Sequence, residues 1–159
     1  MDLTIRPPRP DEAELLADLH LRAWEETYAG LFPPSAWNDE ARAGRIRQWS
    51  ALCGTPQPGW RTAVAEADGR PVGIAHTERD GGESPPREYV LALIYLLREA
   101  QGSGAGQALL DEVLGDRPAS LWVLEENPRA RAFYARNGFT PTGERHPSGL
   151  GGHEIRLVR

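Results

Sequence analysis

The sequence predicts an α/β sandwich around a mostly antiparallel central sheet, and three observations predict it. Strand-like apolar runs interleave with segments of helical periodicity. Two such runs flank Asp68-Gly69, a strong hairpin signal. The apolar run Tyr89 to Leu97 then leads through a glycine-rich loop into a helix.

Taken in order, the first helix is expected from Pro10 to about Tyr28, because Leu16, Leu19, His20, Ala23 and Trp24 recur on one face. Leu31-Phe-Pro-Pro34 breaks it, and a second helix follows from Asn38 to about Ala51. Cys53 to Gly59 is a Pro/Gly loop, followed by strands at Arg61–Ala67 and Pro71–Glu78. Asp80 to Pro86 is a polar loop rich in glycine and proline, and Tyr89 to Leu97 returns to the sheet. A helix runs over Gln107–Leu114. Leu121 to Phe139 then reads as strand, capped turn, helix and strand: Asn127 is a good N-cap, Pro128 a good first helical residue, and Asn137-Gly138 supply the stop. No repeat or second composition regime interrupts the chain, so residues 1–159 are expected to form one domain.

Gln101-Gly102-Ser103-Gly104-Ala105-Gly106 is the most informative stretch. Its glycines allow close backbone approach to a ligand, and the amides opening the following helix sit at the positive end of its dipole, a setting that suits a pyrophosphate. Taken alone, the loop fits an ordinary helix entry equally well. Gln107-Ala108 stand where a Walker A loop needs Lys and Ser or Thr, which argues against a kinase or ATPase. The Gly-x-Gly-x-Gly spacing and late position also depart from the dinucleotide fingerprint.

The strand before that loop, the loop itself and the block Asn127…Phe133-Tyr134…Gly138-Phe139 together resemble the GNAT superfamily of acyl-CoA-dependent N-acetyltransferases. Leu3–Arg6 and Pro10–Leu16 resemble that family's first strand and helix, and Ile155–Val158 its last strand. His20-x-x-x-Trp24-x-x-x-Tyr28 resembles a bacterial subgroup. Arg98 and Ala100 stand where relatives commonly carry Pro and an aromatic; Arg98 could add charge near phosphate.

The resemblance implies a mixed, mostly antiparallel sheet of about six to seven strands with about four flanking helices, two central strands running parallel and splaying apart. It implies acetyl-CoA as co-substrate, gripped by Gln101, Gly102, Ser103, Gly104, Ala105, Gly106 and Gln107. Ile94 and Leu96 would pair through their main chain with the pantetheine arm, and Asn127 would hold the arm or a water. The Leu96 amide, freed by a bulge, would stabilise the oxyanion.

Amide formation also needs a leaving-group acid and a base. Tyr134 matches the family's acid, although its position also suits a core aromatic. Glu88, opening the coenzyme strand, is the provisional base, with a solvated strand-end charge as the plainer account and His20 and His76 as rivals. Trp24 and Tyr28 are candidates for the acceptor pocket. Arg129 and Arg131 could meet phosphate or simply be solvated.

The net charge of −5 and the absence of a basic stripe argue against nucleic acid. All 18 basic residues are arginine. No run approaches the roughly 20 apolar residues of a membrane span, the N-terminus lacks signal-peptide character, and Cys53 is the single cysteine, so a cytoplasmic protein is expected. His146 and His153 look too isolated for a metal site, and no metal is expected. The partners are then acetyl-CoA and an amine acceptor, a small molecule or peptide, with homodimerisation common among relatives. A non-catalytic acyl-CoA sensor or assembly module is the alternative reading, and a nucleotide-binding module the third.

Overall fold

Glu12 decides where the first helix begins. In the computed structural model, which describes residues 1–159, its carboxylate accepts from the two terminal guanidinium nitrogens of Arg6, at 2.9 and 2.5 Å, and from the Arg9 amide at 2.8 Å. That clamp holds Pro10 and Asp11 in a turn, so α1 spans Ala13–Tyr28 rather than starting at Pro10. Arg6 also reaches Glu66, which ties strand β1 (Leu3–Arg6) to β2 (Arg61–Ala67) as well as to α1.

A short 3-10 turn at Pro34–Trp37 leads into α2 (Asp39–Leu52), capped by the Asn38 side chain, which accepts from the Ala41 amide at 2.9 Å. Strand β3 (Arg70–Arg79) returns from β2 through Asp68-Gly69, both in the left-handed region. Next come β4 (Tyr89–Leu96), α3 (Ala105–Val113), β5 (Ala119–Leu124), α4 (Pro128–Arg136), β6 (Thr140–Pro147) and β7 (His153–Val158). The seven strands form one sheet in the order β1-β2-β3-β4-β5-β7-β6. Every neighbouring pair is antiparallel except β4 with β5.

Apolar residues cover both faces. Leu109, Leu110 and Val113 of α3 and Tyr134 of α4 pack with Ala63, Ala75, Leu121 and Leu157 on one side. Leu16, Leu19 and Ala23 of α1 and Trp49 of α2 pack with Val64, Ile74 and Leu93 on the other. Strand β4 changes sides partway along: Leu91 faces the α3 layer, Leu93 the α1 layer, and Ile94 and Leu96 return to the α3 layer. Perfect alternation would keep Leu91 and Leu93 together, and the register explains why it fails. His76 pairs with Leu93 but Thr77 with Leu91, so Ala92 is an extra residue that flips the pattern. The expected bulge therefore exists, but at Ala92 rather than at Leu96.

The parallel seam is short. Only Tyr89↔Ala119 and Val90↔Ser120 pair across it, after which β4 and β5 diverge. The expected splay is thus present, and the space it opens is a deep cleft.

Candidate functional site: a cleft between diverging strands

The cleft has a volume of about 1050 Å³ and is walled by β4 from Val90 to Leu96 and by β5 from Trp122 to Leu124. The Leu97 amide donates to Val72 oxygen at 2.9 Å, which fixes the phase of hydrogen bonding along β4. In an antiparallel ladder bonded pairs alternate with non-bonded ones, so Tyr95 and Leu93 spend their main-chain groups on β3. Those of Ile94 and Leu96 point the other way, into the space vacated by β5. The Leu96 amide is thus released by divergence of the strands and needs no bulge.

At one end of the cleft lies the glycine loop. Gly102 (φ +79°) and Gly104 (φ +91°) are left-handed, which turns the chain into α3 with successive amides facing outward. Gly102, Gly104, Gly106 and Gln107 all line the cleft, and their amides have no main-chain acceptor. Gly106 is glycine for a different reason: a Cβ there would stand 3.3 Å from Leu96 Cδ1, so its absence lets α3 sit close to β4. Gln101 also borders the cleft.

Ser103 and Ala105 do not, which corrects their assignment as ligand-contacting residues. The Ser103 hydroxyl donates to Ala100 oxygen at 2.6 Å and lies 3.3 Å from the Ala105 amide that it accepts, bracing the turn from behind, while Ala105 is fully buried. The Gln107 side chain also leaves the cleft, donating to Asp111 and Asn137 at 2.9 Å each, so only its main chain can serve a ligand.

Arg129 and Arg136 of α4 border the cleft, a placement that favours anions there. Arg131 instead donates to Glu125 oxygen at 3.1 Å. Arg98 is likewise committed elsewhere: its guanidinium donates to the Glu26 main-chain oxygen and its amide to the Glu26 carboxylate, both at 2.7 Å, fastening α1 to the turn after β4.

Midway along the cleft are Asn127, Tyr134, Tyr95 and Tyr28. Asn127 caps α4 by accepting from the Ala130 amide at 3.1 Å, and its amide nitrogen points at the Tyr28 hydroxyl 3.4 Å away. Tyr134 is 8% exposed, and burial, reinforced by Tyr95 and Tyr28, pushes its phenol far above the ordinary range. It is therefore both a core aromatic, in edge contact with Phe133 and Phe139, and a protonated hydroxyl on the cleft wall.

Beyond the tyrosines the cleft opens among Trp24, Phe32, Trp122 and Leu150, with two carboxylates, Glu78 and Glu154. Trp24 and Tyr28 both line this part of the cleft, with the two rings 5.8 Å apart and perpendicular.

Glu88 does not belong to this site. It precedes β4, its side chain is 60% exposed, and it is ion-paired with Arg79 outside the cleft. Neither histidine rival reaches the cleft wall. His20 Nδ1 accepts from the Trp49 indole at 3.2 Å, and burial, aided by Arg45, drives its pKa down to about 3. His76 lies between the Thr62 hydroxyl at 2.9 Å and the Glu78 carboxylate at 3.0 Å.

His153 is less isolated than its sequence position suggests. Its ring and the Glu125 and Glu126 carboxylates offer ligand atoms within 4.8 Å of one another, but Glu125 is taken by Arg145 at 2.7 Å and Glu126 by the His153 amide at 3.2 Å.

Tyr95, Glu78, Glu154, Trp122 and Arg136 escaped the sequence reading. Glu154 alternates with the inward-facing Ile155 and Leu157, and in a strand such polar residues read as solvent-facing. Here that face borders the cleft.

Known proteins share this fold. Residues 58–141 match the family described as "Acetyltransferase (GNAT) domain". A protein named a probable N-acetyltransferase of Mycobacterium tuberculosis is 26% identical over 150 residues, covering 87% of this chain and 80% of that relative. A 5-NmdU N-acetyltransferase of a Pseudomonas phage is 36% identical over 104 residues, 64% of this chain and 69% of the relative. Among solved structures, the PaiA N-acetyltransferase of Thermoplasma acidophilum in complex with coenzyme A superposes with a TM-score of 0.68 at 20% identity, spanning 100% and 99% of the two chains. A Corynebacterium glutamicum protein described as histone acetyltransferase HPA2 and related acetyltransferase gives 0.73 at 22%, spanning 99% and 96%. With the family match running from the strand hairpin through the glycine loop and α4, this chain belongs to the GNAT family of acyl-CoA-dependent acetyltransferases.

Proposed function

We propose that the protein, acting as one acetyltransferase domain over residues 1–159, moves an acetyl group from acetyl-CoA to a primary amine by direct attack within a ternary complex. One observation carries the proposal: a single cleft bears unpartnered loop amides at one end, a buried phenol midway and carboxylates at the other end. The amides of Gly102, Gly104, Gly106 and Gln107 hold the diphosphate, bordered by Arg129 and Arg136. The main chains of Ile94 and Leu96 receive the pantetheine arm as an added strand, and Asn127 holds the arm or an ordered water. The Leu96 amide stabilises the oxyanion that forms when the amine attacks.

Tyr134 gives its proton to the departing sulfur. A phenol kept protonated by burial is in the right state for that task, because nothing ionises it before a thiolate appears beside it. The names of two relatives carry unlike acceptors, 5-NmdU and histone, so neither supplies the acceptor here. Coenzyme thiol release, measured across peptide N-termini, amino acids, polyamines, aminoglycosides and small amines and followed by mass spectrometry of the product, tests this reading. Acetyl-CoA-dependent acetylation of at least one class is expected, and binding without turnover on all of them would replace the enzyme with a sensor.

A further inference from the structure

Two carboxylates stand in the acceptor half of the cleft, and they are not equivalent. Glu78 is engaged by His76 at 3.0 Å. Glu154 has no hydrogen bond and no ion pair with any side chain. It sits on β7 opposite Leu124 of β5 and His146 of β6, on the face where Leu124 packs with Tyr28 and Phe32. A half-buried carboxylate without a partner leaves its oxygens free to accept from a cationic ligand. The walls around this end are Trp24, Tyr28, Phe32 and Trp122, flat aromatic side chains that pack against flat apolar groups; Arg45 and Arg156 already cover one face each of Trp24 and Trp122.

Resting on the acetyltransferase reading above, we propose that Glu154 receives the acceptor's ammonium and takes its proton, and that the acceptor carries a flat apolar group close to the amine. An ammonium N–H bond breaks and its proton passes to a Glu154 oxygen. The freed nitrogen lone pair then bonds to the thioester carbon. As the carbon–sulfur bond breaks, sulfur leaves with the electron pair and takes the Tyr134 proton. The phenolate is restored by the proton that nitrogen sheds as the amide forms, and Glu154 returns its proton to water. Ammonium and thioester thus give amide, thiol and one proton.

The titratable and charged groups around Glu154 are Tyr28 from α1, Arg45 from α2, Tyr95 from β4, His146 from β6, and on its own strand His153, which faces Glu126, and Arg156, which pairs with Glu144. Tyr28 and Tyr95 both have phenols raised chiefly by burial, with the Glu154 charge contributing, which places that carboxylate in their neighbourhood. Both phenols are therefore neutral donors near Glu154 and do not compete for the acceptor's proton.

The test uses the intact protein, acetyl-CoA and 2-phenylethylamine, with thiol release followed over roughly pH 6 to 10 for wild type, Glu154→Gln, Glu78→Gln and Glu88→Gln. Glu154→Gln is expected to lower kcat/KM by about 10² to 10⁴, to leave acetyl-CoA affinity by calorimetry within about twofold, and to replace a plateau by a rate that climbs with the free-amine fraction. With trifluoroethylamine, already neutral near pH 7, the deficit should shrink by at least about tenfold; Glu88→Gln should match wild type throughout. A wild-type profile in Glu154→Gln, the same profile change in Glu78→Gln, or an equal deficit on both amines would overturn the assignment. Wild type that binds acetyl-CoA, acetylates other amines and ignores 2-phenylethylamine would overturn the acceptor class. Failure of wild type to bind acetyl-CoA would instead bring down the acetyltransferase reading.

Discussion

Tyr134 does two jobs with one ring, and the substitution that separates them is the smallest available. Tyr134→Phe keeps the edge contacts with Phe133 and Phe139 and removes only the hydroxyl. It should cut kcat about 10² to 10⁴-fold with coenzyme affinity nearly intact, as read by thiol release beside calorimetry. His20 supports a prediction of another kind. Folded, it stays neutral down to about pH 3, whereas the unfolded chain protonates it near 6.5, so the unfolded state binds the extra proton in between. Stability should therefore be full above pH 6.5 and fall by about 1.4 kcal/mol per pH unit below it. Urea denaturation between pH 6.5 and about 5, above the range where carboxylates titrate, isolates this slope, and His20→Asn should flatten it. At this scale the sequence was legible wherever a residue's job is local. Asn127, Pro128 and Tyr134 announce themselves within one helix, whereas Glu88 looked catalytic because Arg79, its partner across the hairpin, is invisible in a linear reading.

The glycine loop shows how an element can be read correctly in outline and still be misassigned in part. Its turn into α3 was legible because only glycine takes left-handed backbone cheaply, yet the alternation within it depends on which way each peptide faces. Gly102, Gly104 and Gly106 face the cleft while Ser103 and Ala105 brace the turn from behind, and residue types alone do not reveal that division. Gly104→Asp places a charge beside the unpartnered amides and a Cβ on a φ of +91°, at a backbone cost of about 1 to 2 kcal/mol. Acetyl-CoA affinity should drop by at least about tenfold, as expected from losing one charge-assisted contact worth about 1.5 to 3 kcal/mol, and calorimetry reads the change directly. Element boundaries moved for comparable reasons. The first helix lost its opening turn because Arg6 and the Arg9 amide claim Glu12, and neither claim is written into helical periodicity.

Across the whole molecule, the order of elements was foreseeable from hairpin signals, caps and strand-loop-helix units, whereas the parallel pair and its splay were expected only from the family resemblance. The acceptor end was not, since it joins α1, β3 and β7 from opposite ends of the chain. No helix is long and apolar enough to cross a membrane. Coenzyme A should raise the melting temperature, with about 2.7 kcal/mol added at a hundredfold excess over its dissociation constant, while NAD and ATP should not, as a thermal shift titration would record. Hydrogen exchange should slow at Ile94 and Leu96 in the same titration, because their outward amides gain acceptors only from the ligand.

The seam between β4 and β5, joined at just Tyr89↔Ala119 and Val90↔Ser120, gives the molecule a hinged-book character. Its seven strands lie in two leaves, β1 to β4 and β5 to β7, that meet at a narrow spine near the β5 start, and a carrier slipped between the pages supplies the rungs the sheet itself lacks. Turnover would then close and reopen the book once per acetyl group, and the pace of page-turning, rather than bond-making, becomes a candidate for the slowest step.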